Sequence, residues 1–286
     1  MPRSLALHQI TALQCSPPEL VSLAAELGCD GVCVFVHTPS NPGPGRPVFP
    51  KVTPAMLPAM RQRMSDAGVA ITNVEYFPLT ADVDLDAFRP ALELGAELGA
   101  RRAVVHLHDA DDQRGSDTLE RFAGMAAEYG LGAGLELLGL SPGCPSLARA
   151  VQLVERIGQP NLGVAVDALH LQRTGSTPLD LAGMPRSLFS YAQLCDAPAL
   201  ADPAQALDPT RYIAEAFDRL PPGEGAFPLV EMVRALPSDL PYDVEVPALR
   251  LVRAGVSPLE HARRAVTGAR RVLAAAGLSS WSAGAV

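Results

Sequence analysis

Four polar side chains stand at or near the ends of apolar runs: Glu136 in LGAGLELLG, Asp167 in LGVAVDALHLQ, Gln193 in LFSYAQLCDAP and Glu245 in PYDVEVP. A carboxylate in such a run must find a partner or stay out of the core, because an unpaired buried charge is strongly unfavourable. If the four runs are successive strands of a closed parallel barrel, these side chains converge at its carboxyl-terminal face, where barrel enzymes build their sites. Three carboxylates and one amide oxygen form a hard, oxygen-rich pocket suited to a single divalent cation. Oxygen ligands alone discriminate little among Mn²⁺, Mg²⁺, Co²⁺ and Zn²⁺. Any one of these acids could instead cap a helix or pair with an arginine; four on consecutive strands are harder to explain that way.

His170 follows Asp167 by three residues, on what reads as a loop, where it suits a general acid/base or a donor to substrate. A surface position at a helix start is its plainer reading. His8 and Glu75 end earlier apolar runs in the same sense, as further candidates to line the pocket. His106 and His108 alternate with Val105 and Leu107, and one of the two is expected to face the barrel axis. Arg211 and Arg219 lie near PPGEG, between the last two strands, where either could bind a substrate carboxylate or phosphate, or belong to a solvated helix face. His37 opens a Pro/Gly-rich stretch, 37–54, that contains Phe49 and reads as a lid, a packed loop or a segment that docks a second subunit. Cys195 has no evident histidine partner and reads as a buried structural thiol.

The elements that must position these residues alternate regularly. Strands are expected at 4–10, 31–36, 69–77, 102–108, 131–138, 162–167, 188–195 and 242–246. Helices are expected at 16–28, 54–68, 84–99, 116–129, 145–157, 177–184, 227–236 and 257–276; Ser16 with Glu19, and Ser257 with Glu260, have capping-box spacing. Eight such units favour a single-domain (β/α)₈ TIM barrel, an α/β fold, over residues 1–278, with 279–286 a flexible tail. The alternative, an open doubly wound sheet, would carry a GxGxxG turn that the chain lacks.

At 48% hydrophobic and 19% charged residues, the chain can bury a large core and is not disordered. Its net charge is −8, and its 23 basic residues, Lys51 the only lysine, form no cluster, which argues against a nucleic-acid partner. Five cysteines without a CxxC pair read as reduced thiols of a cytoplasmic protein rather than zinc ligands. No signal peptide is evident and no stretch approaches about 18 uninterrupted apolar residues, so no membrane partner is expected. Association into a homo-oligomer is left open.

Taken in order, LGAGLELLG, VAVDALH, AQLCDAP, RLPPGEG and DVEVP resemble the xylose isomerase-like TIM-barrel superfamily of sugar and sugar-phosphate isomerases and epimerases, over about residues 4–276. The resemblance implies metal ligation by Glu136, Asp167, the strand-seven residue and Glu245. It also implies that the two glutamates act as acid and base on opposite faces of the substrate, and it matches His170 to a family histidine. Strand seven departs from the family's histidine, lysine and aspartate, with Gln193, Cys195 and Asp196 in their places. A glutamine there is similar to the metal-dependent 3-dehydroshikimate dehydratases of the superfamily.

The function expected first is that of a divalent-metal-dependent sugar isomerase or epimerase, which abstracts a proton next to a carbonyl while the cation stabilises the enediolate. The second reading is a dehydratase of a cyclic polyhydroxy ketone such as 3-dehydroshikimate or an inosose. A non-catalytic barrel that binds a small ligand is the reading from another class. In each case the partner is a small polyhydroxylated carbonyl compound. An abasic-site endonuclease on this fold would need a histidine-rich trinuclear zinc site and a basic face, which six histidines in an acidic chain do not provide.

Overall fold

β-branched and aromatic runs favour extended backbone, and the amphipathic segments between them bury one stripe against the strands. The computed structural model describes residues 4–38 and 48–278. The strands are β1 (Leu5–His8), β2 (Gly31–Phe35), β3 (Ala70–Leu79), β4 (Arg102–Leu107), β5 (Gly132–Glu136), β6 (Leu162–Asp167), β7 (Phe189–Leu194) and β8 (Tyr242–Val244). Each pairs in parallel with the next, and β8 closes on β1 through Leu5↔Tyr242, Ala6↔Asp243 and Leu7↔Val244, as expected of an eight-stranded barrel.

The helices are α1 (Pro17–Glu26), α2 (Leu57–Ala67), α3 (Arg89–Glu97), α4 (Asp112–Glu128), α5 (Leu147–Ile157), α6 (Ala168–Arg173), α7 (Pro178–Leu181), α8 (Pro209–Ala216), α9 (Leu229–Ala235), α10 (Leu249–Arg253) and α11 (Pro258–Ala275). Ser16 and Glu19 form the capping box expected of α1, and Ser257 accepts the Glu260 N–H at 3.1 Å to start α11. Each such cap contributes about 1 kcal/mol. The main core lies between strands and helices; Phe77 sits 5.3 Å from Phe88 and 5.2 Å from Phe122, ring centre to ring centre.

Three short helices were not foreseen. α6 begins directly at Asp167, whose carboxylate accepts the His170 N–H at 2.9 Å, so His170 lies in a first helical turn rather than a loop. α8 is capped by Asp208 with Pro209 following, a start signal in the sequence. α10 follows the β8 end without such a cap. β8 ends at Val244, which places Glu245 one residue beyond it. The lid reading of 37–54 and the tail at 279–286 rest wholly or partly on 39–47 and 279–286, outside the described residues.

Alternate strand residues point into the barrel. Its lowest layer is polar: Asn73 Nδ2 donates to Asp243 Oδ2 at 2.7 Å, and Arg102 donates to Asn73 Oδ1 at 3.3 Å. Above it lies a small apolar layer of Val104, Ala165 and Tyr191. Tyr191 requires glycine opposite it, since a Cβ on Gly134 would stand 3.1 Å from its ring. A Cβ on Gly163 would come within 2.9 Å of the Ser190 backbone nitrogen, which cannot rotate away. Gly163→Ala is therefore expected to cost about 1–3 kcal/mol and lower the thermal midpoint; an unchanged midpoint in calorimetry would contradict this packing.

Candidate active site

Above the apolar layer, β5 ends on Glu136, β6 on Asp167, β7 carries Gln193 one residue from its end, and Glu245 follows β8. All four are buried. Carboxylate oxygens of Glu136, Asp167 and Glu245 lie within 4.8 Å of one another. Gln193 is paired with Asp167 in the β6–β7 register; its Nε2 donates to Glu245 Oε2, and its Oε1 has no hydrogen-bond partner. The sequence expectation that these four side chains converge is met in the geometry.

Arg219 is the counter-charge. Its guanidinium donates to Asp167 Oδ2 at 2.6 Å and stands 3.1 Å from Glu245 Oε1. Burial pushes the Asp167 carboxyl up, but Arg219 and His170 outweigh it and hold Asp167 below the usual carboxylate range. Burial, with Glu75 and Asp167 nearby, raises Glu136 well above that range. Burial likewise lifts Glu245 to about 8 despite Arg219 and His8. One guanidinium thus sustains one ionised carboxylate, and the other two favour their protonated forms. A divalent cation would supply the two missing positive charges, and the unpaired amide oxygen of Gln193 offers a fourth hard donor. The residues present fit such an ion.

Two histidines flank this group. His106 Nε2 and Glu136 Oε2 are 2.7 Å apart. Burial lowers the His106 pKa as it raises that of Glu136, so the carboxylic acid donates to a neutral imidazole. His170 is pulled down to about 4, chiefly by burial, and is neutral at physiological pH. Its Nδ1 meets the Tyr212 hydroxyl at 2.6 Å, and that oxygen also accepts the Gly139 N–H at 2.9 Å. With the phenol proton donated to Nδ1, His170 carries its own proton on Nε2, 3.8 Å from Glu136 Oε1.

Glu136 and Glu245 line a cavity of about 410 Å³, to which Glu75, His106, His108, Ser141, His170 and Arg219 add polar groups, while Asp167 and Gln193 are fully buried beside them. Its walls are apolar and aromatic, including Ile10, Phe35, Phe49, Tyr76, Leu138, Tyr212 and Phe217. Phe49 stacks on Phe35 at 4.6 Å and on Phe217 at 6.5 Å, and its ring forms part of the pocket wall. His37 instead bonds the Tyr76 carbonyl through Nδ1 at 2.9 Å.

Three expectations need correction. Both His106 and His108 line the cavity, because residues two apart on a strand share a face. Arg211 does not reach it: α8 turns Tyr212 inward, and Arg211 bonds the Gln205 and Ala206 carbonyls and Glu215. His8 stands behind Glu75 rather than in the cavity wall, with Nε2 3.0 Å from Glu75 Oε2. His8, Cys33 and Glu75 place ligand-type atoms within 4.8 Å of one another, but Ile10 N–H donates to His8 Nδ1 at 3.1 Å. That leaves the proton on Nε2, which stands 3.0 Å from Glu75 Oε2, and speaks against a cation there. Tyr212 and Ser141 were missed; the Asp208–Pro209 helix start was the available signal for Tyr212.

A model of the xylose isomerase-like TIM barrel family matches residues 21–264, and the chain belongs to that family. A 3-dehydroshikimate dehydratase of Pseudomonas aeruginosa is 30% identical over 151 residues, which make up 51% of this chain; the match spans only 23% of that relative's length. A fusion of a xylose isomerase-like TIM barrel with 4-hydroxyphenylpyruvate dioxygenase has a TM-score of 0.76 at 19% identity, over 98% of this chain and 45% of the fusion. The IolI protein, solved with a bound zinc atom, has a TM-score of 0.76 at 16% identity, over 95% of this chain and 98% of its own. At these identities the solved structures share the fold. Among the described residues no helix is long and apolar enough to cross a membrane.

His108 is also held at about 4 by burial and by His106. The unfolded chain, with histidines near their ordinary 6.5, binds more protons than the fold between about pH 6.5 and 4, so these two residues make stability fall as pH falls through that window. In the metal-free protein their ring resonances are expected to stay those of neutral imidazole from pH 8 to about 5; a midpoint near 6.5 by NMR would refute the burial argument.

Proposed function

We propose that the chain is a divalent-metal-dependent hydro-lyase that removes a proton next to a carbonyl of a cyclic polyhydroxylated ketone and expels the β-hydroxyl as water. The observation that carries this reading is Gln193, a neutral oxygen donor where the family pattern has histidine, with its Oε1 unpaired over the three carboxylates. The identity to a dehydratase over half the chain supports the same choice. It reverses the order of the two readings drawn from the sequence.

Glu136, Asp167, Gln193 and Glu245 would hold the ion, which supplies Lewis-acid stabilisation of charge at the substrate oxygens. Arg219 keeps Asp167 ionised and fixes its direction. One glutamate takes the proton from carbon, and the other, in its acid form, gives one to the departing hydroxyl; the two losses together make one water. His170 contributes a hydrogen bond from Nε2, and Tyr212 prevents that proton from moving to Nδ1. The aromatic wall excludes water while the carbanion is exposed.

The second reading is isomerisation or epimerisation, favoured by the same two glutamates facing one small volume: the proton then returns to the opposite face or the neighbouring carbon. A panel of ketoses, an inosose and 3-dehydroshikimate, incubated in D₂O with Mn²⁺ and followed by NMR, separates the two. Loss of water is expected; solvent deuterium in a product of unchanged formula would establish isomerisation instead. Binding without any proton exchange would favour a non-catalytic barrel.

Glu136→Gln is expected to lower kcat by about 10²- to 10⁴-fold in the same assay. The double variant Asp167→Asn with Glu245→Gln should lose the metal, read as about one equivalent in the parent by elemental analysis; retention of metal by the variant would end the proposed ligand set.

A further inference from the structure

We infer that Thr11 is a positioning residue for Glu245: one buried hydroxyl holds the peptide groups on both sides of that glutamate and so fixes where its carboxylate stands relative to Glu136, Asp167 and Gln193. Its effect on the ion rests on the ligand set proposed above, whereas its contacts with the backbone stand on the geometry alone.

Glu245 needs such support because it lies where the sheet stops. β1 and β8 pair through Leu7↔Val244, and the next rung would join His8 to Glu245. β8 ends at Val244 and β1 at His8, after which the chain turns into a short 3₁₀ helix, Gln9–Ala12, and its backbone leaves the ladder. Thr11, on that turn, takes its place. Its hydroxyl donates to the Val244 carbonyl at 2.9 Å and accepts the Val246 N–H at 2.8 Å, and both bonds are buried. Gln9 does the same toward β2, its Oε1 accepting the Phe35 N–H at 2.9 Å.

The Val244 carbonyl belongs to the peptide before Glu245, and the Val246 N–H to the peptide after it. Two peptide planes meet at a Cα through φ and ψ, the soft torsions of the backbone, so a group bonded to both planes fixes those angles and with them the direction of Cβ. Other contacts hold neighbouring atoms: the Glu245 N–H donates to the Leu194 carbonyl at 3.2 Å, and His261 Nε2 donates to the Val246 carbonyl at 2.7 Å. Of these groups only Thr11 spans both planes. The hydroxyl is what matters, since a side chain of the same shape without it would leave the buried Val246 N–H with no acceptor.

Thr11→Val is such a change. In calorimetric titration of the full chain with Mn²⁺, it is expected to weaken affinity about tenfold or more, as when a group that orients a metal ligand is removed, whereas Thr11→Ser should stay within about threefold of the parent. Thr72→Val controls for lost stability alone: Thr72 donates to the Val32 carbonyl at 3.1 Å between β2 and β3, neither of which pairs with β8. It should lower the urea midpoint and leave Mn²⁺ affinity unchanged. Amide hydrogen exchange supplies a readout that needs no metal. In the parent the Val246 amide should be protected although it lies beyond the end of β8, and in Thr11→Val it should exchange about tenfold faster or more relative to the amides of β5. A fast-exchanging Val246 amide in the parent would overturn the inference without any variant. So would parent-like Mn²⁺ affinity or Val246 exchange in folded Thr11→Val, a Thr11→Ser as weak as Thr11→Val, or an equal loss of affinity in Thr72→Val. A parent that takes up no Mn²⁺ would instead defeat the proposed ligand set, and Val246 exchange would then decide the role of Thr11.

Discussion

Three buried carboxylates share one guanidinium, and the chemistry available to the pocket follows from that shortage of positive charge. Arg219 can satisfy Asp167 fully and Glu245 in part, which leaves Glu136 to share a proton with His106. Removing ions from water costs several kcal/mol each, so such a group is stable only as partly protonated acids or around a cation. His170 and His106 nevertheless stay neutral, because burial disfavours their charged forms by more than the neighbouring carboxylates favour them.

The barrel beneath exists to hold this arrangement at a fixed height. Its polar lowest layer, Arg102, Asn73 and Asp243, closes its own hydrogen bonds, and Tyr191 lies between that layer and the site. Substitution of Gly134 or Gly163 by larger residues would push strands apart at the level that sets the spacing of Glu136 and Asp167. Stability and site geometry thus share the same glycines.

The strand order and the four acceptors were legible because the chemistry interrupts an apolar pattern: a charge within a buried run is visible without coordinates. Arg219 was legible only as one of two candidates, since nothing in RYIAEAFDR tells which arginine a short helix turns inward. The helix following Asp167 was hidden, because ALHLQR is six residues long and has no periodicity beyond one turn. The alternation of His106 and His108 was open to a simple geometric reading that puts both on one face. The pairing of Tyr212 with His170 joins segments 42 residues apart and depends on loop paths that local sequence does not encode.

Asp167 has two duties that are usually separate: one oxygen caps α6 through the His170 N–H and the other faces Arg219. Its carboxylate is therefore locked to the backbone of the next element whether or not anything is bound. An ion arriving in the pocket meets at least one donor already immobilised, so the entropy of ordering that ligand has been expended in folding and does not weigh against capture. Loading of the ion proposed for this pocket would be governed by shedding water from the ion and displacing protons from Glu136 and Glu245, which would make pH a handle on its rate.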